Sequence, residues 1–251
     1  MFRHIDLAKV LFFDIECVSA APQYEQLDEE FQYLWQRKAQ QLARHSEPLD
    51  EQRVAEMYRE RAAIYAEFGR VVCISVGLVH RVRESGRLAL RIKSFFDRDE
   101  QKVLRDFATL IDNYFPDRDN FFFCGHNIKE FDVPYLCRRM VVHQMELPKP
   151  FQLRGLKPWE TTHLLDTMEL WRFGDRKAFT SLRLLTALLG IPSPKDDIDG
   201  ADVGRVFYDE EDLDRIAQYC EKDVLATVQL FLRYRYEPLL APEQVTFVGR
   251  E

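Results

Sequence analysis

The stretch Val10-Leu11-Phe12-Phe13-Asp14-Ile15-Glu16-Cys17-Val18 is a short apolar run interrupted by two acidic residues. Such a run is typical of a β-strand that other elements cover on both faces. Asp14 and Glu16 stand at positions i and i+2, so a strand places both side chains on the same face. The sequence therefore predicts a covered strand that carries two carboxylates on one face.

The same kind of pattern predicts the other elements. Apolar runs indicate four more strands, at 71–79, 87–96, 121–125 and 163–167, and a turn signal at 84–86 joins the second and third into a hairpin. Apolar side chains at three- and four-residue spacing predict helices over 100–114, 181–189 and 209–231. Together they predict an α/β fold with a mixed five-stranded sheet flanked by helices on both faces.

The segment of residues 23–68 is long, polar and helix-prone, and it lies between the first two strands. We interpret it as a helical insertion after the first strand of a single domain that spans residues 1–251. Two interpretations of its role stay open. It either roofs a site and contacts a bound strand through Arg61, Phe68 or Lys38, or it is a solvated amphipathic pair of helices.

Composition limits the class of protein. The chain has 35 Lys and Arg against 42 Asp and Glu, and a net charge of −7 would repel a phosphate backbone. No apolar run approaches the roughly 18 residues of a membrane span, and the first residues are too polar for a signal peptide. We therefore expect a cytoplasmic protein that does not enter a membrane.

Two carboxylates on one face of a covered strand repel each other and lose hydration, unless a cation neutralises them. A hard divalent metal such as Mg²⁺ prefers carboxylate oxygens and would serve. In the alternative interpretation, Glu16 ends the strand in solvent and Asp14 caps a turn.

Two more segments supply acids. In Asn127-Ile128-Lys129-Glu130-Phe131-Asp132, which joins a strand to a helix, the last residue is either an active-site acid beyond a strand end or a helix N-cap. Tyr219 and Asp223 are four residues apart on an otherwise apolar helix face. The tyrosine either packs in the core or holds a water beside the site.

Four inward acids from three separated segments can hold two divalent ions, Mg²⁺ or Mn²⁺, and such a pair can assist phosphoryl transfer. The four are Asp14, Glu16, Asp132 and Asp223.

These residues carry a family resemblance. Phe13-Asp14-Ile15-Glu16, Asn127-x-x-x-Phe131-Asp132 and Tyr219-x-x-x-Asp223 resemble the three motifs of the DEDD 3′–5′ exonuclease superfamily. Phe-Asp-x-Pro-Tyr-Leu at 131–136 is most similar to the proofreading exonuclease domain of family B DNA polymerases, and the chain resembles a stand-alone relative of that domain. The tyrosine branch, DEDDy, is indicated because Tyr219 is present and position 218, where the other branch has histidine, is Gln.

The resemblance implies a ribonuclease H-like fold and a set of roles. Asp14, Glu16 and Asp223 would bind the metal that shares the attacking water, Asp14 and Asp132 would bind a second metal, and Tyr219 would orient the water. Asn127 and Phe131 would contact the terminal nucleotide, and the backbone of Ile15 and Cys17 would pass beside its sugar. The implied catalytic set is Asp14, Glu16, Asp132, Tyr219 and Asp223.

The expected function is metal-dependent 3′–5′ hydrolysis of single-stranded DNA 3′ ends, releasing 5′-mononucleotides in DNA repair or editing, with any partner polymerase or repair protein unspecified. The alternatives are an exoribonuclease of the same chemistry and a non-catalytic nucleic-acid-binding scaffold. A haloacid-dehalogenase-type phosphatase is disfavoured because it needs a second Asp where Glu16 stands. If two divalent metal ions neutralise the four acids, the net charge of the chain changes from −7 to −3.

Basic residues offer phosphate contacts in two places. One group lies on the hairpin and the other in a loop flanked by Phe151 and Trp159, although charges on a hairpin edge also prevent edge-to-edge association. His126 is expected to be a packed residue and not the general base, and Asp166 is expected near the site without a metal. The two basic groups are Arg81, Arg83, Arg87, Arg91 and Lys93, and Lys149, Arg154 and Lys157.

Overall fold

The computed structural model describes residues 2–43, 48–175, 177–192 and 198–249. Within these ranges six strands form one sheet. They are β1 (Val10–Ser19), β2 (Gly69–Arg81), β3 (Leu88–Phe96), β4 (Phe122–Gly125), β5 (Leu164–Asp166) and β6 (Val245–Phe247).

Eight α-helices lie within the described ranges, and none of them is long and apolar enough to cross a membrane. They are α1 (Glu29–Ala43), α2 (Glu51–Arg61), α3 (Glu100–Tyr114), α4 (Asp132–Val142), α5 (Thr167–Arg172), α6 (Leu182–Leu188), α7 (Val203–Tyr208) and α8 (Leu213–Tyr234).

The strand order is β5-β4-β1-β2-β3-β6, so β1 lies inside the sheet. β1 pairs antiparallel with β2 and parallel with β4, β2 pairs antiparallel with β3, and the two outermost pairs are parallel. The predicted mixed sheet flanked by helices is confirmed. The prediction of five strands falls one short, because β6 has only three residues and no alternation marks it.

The two faces of β1 meet different helices. Leu11, Phe13 and Ile15 pack with α3 and α4 on one face. Phe12 packs with the C-terminal half of α8 on the other face, and Val18 packs there with α7 and the start of α8. Asp14 and Glu16 alternate with the first set, so they belong to the face that α8 covers.

Residues 23–68 form α1 and α2, with short 3₁₀ turns around them; residues 44–47 lie outside the described ranges. The two helices enclose a small core of their own around Trp35, which is fully buried and donates through Nε1 to the Val54 carbonyl at 3.1 Å. Ala20 N–H donates to the Phe68 carbonyl at 2.8 Å. The insertion thus begins and ends at the C-terminal end of β1.

The last long helix begins later than its acidic sequence suggests. The acids at 209–212 separate α7 from α8, and Asp212 is the N-cap of α8, where its carboxylate accepts from Arg215 N–H at 3.0 Å. Because α8 begins at Leu213, Tyr219 and Asp223 lie on the same helix, about one turn apart.

Close packing of α8 on the sheet depends on Gly77 of β2. A Cβ atom at this position would lie 2.8 Å from Val224 Cγ1 and 3.3 Å from Leu90 Cδ1. Val224 is fully buried and β-branched, so it cannot move aside freely. The glycine therefore lets α8 approach the sheet at the residue that follows Asp223.

We expect Gly77→Ala to lower the free energy of unfolding by about 1–3 kcal/mol, because the added methyl overpacks the contact with Val224. Urea denaturation monitored by tryptophan fluorescence measures this. Gly200→Ala is the matched control, since a Cβ there meets no atom within 4 Å, and its effect should stay within about 0.5 kcal/mol. Equal effects of the two substitutions would contradict the packing argument.

Candidate active site

The two acids of β1 lie in the middle of the strand and not at its end. Glu16 is 8% exposed and Asp14 is half-buried. The interpretations in which Glu16 ends the strand in solvent and Asp14 caps a turn are therefore wrong. Both carboxylates are held on one face of a strand whose backbone pairs with β2 over Leu11–Ser19, with a shift of register just after Glu16.

Asp132 reaches the same place from the other side of β1. It is the first residue of α4 and is 3% exposed, and the backbone N–H groups of Asp132 itself and of Ile15 lie close enough to its carboxylate to lower its pKa. The N-cap position belongs to Phe131, so the N-cap interpretation of Asp132 is wrong. Contact with Ile15 is possible because β4 pairs with β1 only over Val10–Phe12.

The third segment contributes from α8. Asp223 is half-buried, and its charge acts on Asp14, Glu16 and Asp132, so the four acids lie within electrostatic reach of one another. Tyr219 is half-buried one turn earlier and packs at the edge of the apolar cluster that contains Val18.

Cys220, between these two residues, was missed as a site residue by the sequence analysis. It is fully buried, and its Sγ donates to the backbone oxygen of Asp14 at 3.4 Å and to Asp14 Oδ2 at 3.5 Å. Its position on the inward face of the helix that carries Asp223 was the only available signal. The thiol ties α8 directly to the carboxylate of β1.

Burial and like charge raise the pKa values of the acids. The pKa values of Asp14 and Glu16 lie well above their usual range, chiefly because burial disfavours the charged form and next because of the charge of Asp223. Burial raises the pKa of Asp132 to about 8, with help from the charges of Asp166 and Asp223, although the two backbone N–H groups oppose the shift. The cluster therefore holds protons near neutral pH unless a cation replaces them.

The donor set fits a hard divalent cation. Potential ligand atoms of Asp14, Glu16 and Cys220 all lie within 4.8 Å of one another. Burial holds the pKa of the Cys220 thiol well above its usual range, so sulfur stays protonated and donates to Asp14. The remaining donors are carboxylate oxygens, which Mg²⁺ and Mn²⁺ prefer over soft ligands.

The turn between β4 and α4 holds Asn127 in a left-handed conformation, with φ of +66°. Its amide oxygen is buried and has no hydrogen-bond partner among the described residues. Phe131 is half-buried, and its ring centroid lies 5.4 Å from that of Tyr135. A buried acceptor without a donor is uncommon in proteins and marks a place where a ligand donor would fit.

His126, next to Asn127, has both ring nitrogens engaged. Nδ1 lies 2.9 Å from Thr167 Oγ1 and Nε2 lies 3.0 Å from the Thr180 carbonyl. Burial lowers its pKa, so the ring stays neutral near pH 7. This agrees with a packed histidine that joins the site to the 180–181 segment.

Two aromatic residues that the sequence offered for contact with nucleic acid, Phe68 in one of the two interpretations of the insertion and Phe151 beside the basic loop, are buried instead. Phe68 is 7% exposed within the core of the insertion, and Phe151 is 1% exposed against Phe13 and Phe123. Neither ring contacts a bound strand in this way, because both fill apolar clusters. Trp159, in contrast, is 69% exposed, with Lys157 Nζ 5.2 Å from its ring centroid.

The basic residues that the sequence offered for phosphate contacts lie at the surface or partly exposed. Arg61 is exposed, and Lys38 is half-buried with its Nζ 4.3 Å from the ring centroid of Tyr65. On the β2–β3 hairpin all five predicted cations are exposed, namely Arg81, Arg83, Arg87, Arg91 and Lys93, and so are Lys149, Arg154 and Lys157 in the later loop.

Comparisons with known proteins agree with this geometry. Residues 64–240 match the model of a family described as "Predicted 3'-5' exonuclease related to the exonuclease domain of PolB". Among solved structures, the family B DNA polymerase from the hyperthermophilic archaeon Pyrobaculum calidifontis is similar, with a TM-score of 0.51 and 18% identity. That likeness covers 90% of this chain and 24% of the polymerase, and it shows the fold alone. No curated protein matches the chain.

The raised pKa of Asp132 predicts a pH-dependent stability of the metal-free protein. In an unfolded chain an aspartate titrates near pH ~3.9, whereas Asp132 keeps its proton in the folded state up to about pH 8. The folded state binds more protons between these values, so the free energy of unfolding falls as the pH rises through this window.

Chemical denaturation of the metal-free protein from pH 5 to 8 measures this slope. Asp132→Asn should flatten it and make the metal-free protein more stable than the wild type at pH 8, by on the order of 1–3 kcal/mol. Asp99→Asn, at the exposed N-cap of α3, should leave the slope unchanged. A wild-type stability that rises over this range would contradict the burial of protonated acids.

Proposed function

Because the chain belongs to the family of predicted 3′–5′ exonucleases related to the exonuclease domain of PolB, we propose that it hydrolyses the terminal phosphodiester of single-stranded DNA 3′ ends and releases 5′-mononucleotides, in DNA repair or editing. One observation carries the proposal. Four carboxylates from β1, α4 and α8 lie within electrostatic reach of one another, and burial raises the pKa values of at least three of them.

The acids would hold two divalent ions. Asp14, Glu16 and Asp223 would share one ion with the attacking water, and Asp14 and Asp132 would hold the other. When bound, the ions would supply a nucleophile from water at neutral pH and stabilise charge on the leaving oxygen. Tyr219 would orient the water through its hydroxyl, since it projects from α8 one turn before Asp223.

The terminal nucleotide would lie between β1 and the Asn127 turn. The unpartnered amide oxygen of Asn127 would accept a hydrogen bond from a sugar hydroxyl or a base N–H of that nucleotide. The ring of Phe131 would contact its base or sugar. The backbone of Ile15 and Cys17 would pass beside the sugar, along the part of β1 that extends beyond its pairing with β4.

A non-catalytic scaffold for nucleic acid is a weaker explanation. A binding surface gains from exposed cations, whereas the strongest charges acting on Asp14 are Asp223, Asp132 and Glu16, all of the same sign. Buried like charges destabilise a protein. A function that needs a cation accounts for them and a scaffold does not.

We expect Asp14→Ala and Asp223→Asn to reduce hydrolysis on the order of 10³-fold or more, because each removes a carboxylate from the metal site. The assay follows 5′-labelled and 3′-labelled DNA and RNA single strands with Mg²⁺ or Mn²⁺ and with EDTA. Asp214→Asn, on the exposed face of the first turn of α8, is the matched control and should retain activity.

Each arm of this assay has a decisive outcome. Activity that survives EDTA and Asp14→Ala would rule out the metal mechanism. Products that shorten from the 5′ end would rule out the polarity. Faster degradation of RNA than of DNA would replace the proposed substrate with RNA, which differs by the 2′-hydroxyl.

We expect Tyr219→Phe to lower kcat about 10²-fold with little change in KM, because a misplaced water reacts slowly while the strand still binds. Tyr234→Phe is the matched control on the same helix, where the hydroxyl donates to the Thr167 carbonyl at 3.2 Å. It should lose about 1 kcal/mol of stability and keep kcat. An unchanged kcat in Tyr219→Phe would remove the water-orienting role.

A further inference from the structure

Asp166 is a buried acid beside the site that the proposed metal set does not use. It is the last residue of β5 and is 2% exposed. Its Oδ1 accepts from the backbone N–H groups of Met168 at 3.0 Å and Glu169 at 3.2 Å. In this respect Asp166 is an ordinary N-cap of α5.

The same carboxylate also holds a second segment. Asn127 N–H donates to Oδ1 at 3.0 Å, and Lys129 N–H donates to Oδ2 at 3.1 Å. These two residues belong to the turn between β4 and α4. One buried carboxylate therefore accepts four backbone N–H groups, two from each segment, and both of its oxygens are engaged.

The turn held in this way contains a left-handed residue. Asn127 has a φ of +66°, a conformation that is uncommon for residues with a side chain but that asparagine adopts more readily than most. The bond from Asn127 N–H to Asp166 fixes the backbone at that residue. It thereby fixes the direction of the Cα–Cβ bond that carries the unpartnered amide oxygen of Asn127.

Asp132, five residues later, is anchored separately. Its carboxylate lies beside its own backbone N–H and that of Ile15, which lower its pKa, and neither of these groups donates to Asp166. Loss of Asp166 should therefore disturb the nucleotide contact and leave the metal ligand in place.

We propose that Asp166 is a positioning residue that holds Asn127 for contact with the terminal nucleotide of the strand and does not bind metal. This inference rests on the proposed function, because it assigns Asn127 to the substrate. Four backbone N–H donors already stabilise the carboxylate of Asp166, so its charge does not require a metal ion.

Asp166→Ser keeps the hydrogen bonds that cap α5 and removes those that hold the turn at Asn127 and Lys129. A serine hydroxyl caps a helix N-terminus well, but it offers one short oxygen and cannot also reach Asn127 and Lys129. We expect the dissociation constant for a 5′-fluorescein-labelled oligothymidylate, measured by anisotropy with Ca²⁺ in place of Mg²⁺, to rise about 10-fold. Affinity for Mn²⁺, measured by calorimetry, should change much less than the DNA affinity, because the substitution removes a nearby negative charge but no proposed metal ligand.

A double-mutant cycle with Asn127→Ala measures whether the two substitutions affect DNA affinity through the same contact. A general loss of stability would not produce that coupling. If Asp166 acts through Asn127, adding Asp166→Ser to Asn127→Ala weakens DNA binding by no more than about twofold further. Asp50→Ser is the matched control, because Asp50 is the N-cap of α2 and accepts from Arg53 N–H at 2.7 Å. It should leave DNA affinity unchanged.

Additive effects in the cycle, unchanged DNA affinity in Asp166→Ser, or a matching loss of Mn²⁺ affinity would each overturn the inference. Should Asp166→Ser fail to fold by circular dichroism, Asp166→Thr takes its place in the cycle, since threonine also caps a helix N-terminus and likewise offers one short oxygen that cannot reach Asn127 and Lys129. A wild-type protein that neither binds nor hydrolyses the strand would contradict the proposed function itself. If the wild-type protein hydrolyses the strand but the two substitutions have additive effects on DNA binding, only this inference is contradicted.

Discussion

Repulsion among buried carboxylates is the constraint on which the rest of the site depends. Asp14 and Glu16 stand two residues apart on one covered strand, and Asp132 and Asp223 approach them from two different helices. Burial is the largest cause of the raised pKa values of Asp14 and Glu16, and the negative charges of neighbouring acids raise them further. The fold must therefore hold these groups together by rigid packing of β1 and α8, because the charges themselves favour separation.

The short length of β4 makes the site accessible. Because β4 pairs with β1 only at Val10–Phe12, the rest of that edge of β1 is available to Asp132 and to a ligand. The direction of the chain then brings Asp132 to this edge, because the segment that leaves β4 must cross the edge before α4 begins. Asn127 lies in that turn. A longer β4 would pair with the edge and exclude both.

The sequence predicted the first strand, the helical insertion and the four acids, because each has a local signature such as i, i+2 spacing or an apolar stripe. It did not predict β6, whose three residues show no period. Burial of Phe68 and Phe151 was also missed, since an aromatic residue in a polar stretch gives no sign of its tertiary neighbours. The four hydrogen bonds of Asp166 join segments about 40 residues apart, and no local pattern encodes such contacts.

Three of the buried carboxylate sites in the described part of the chain differ in what surrounds the charge, and the contrast bears on function. Glu100, 6% exposed, accepts from Arg139 at 2.6 and 2.9 Å and from Val71 N–H at 2.7 Å, so a cation neutralises it. Asp166 is surrounded by backbone N–H groups. The largest charges around Asp14, in contrast, are other acids. Because the same chain neutralises a buried carboxylate with its own groups elsewhere, the acidic surroundings of Asp14 support the proposal that an external divalent cation binds there.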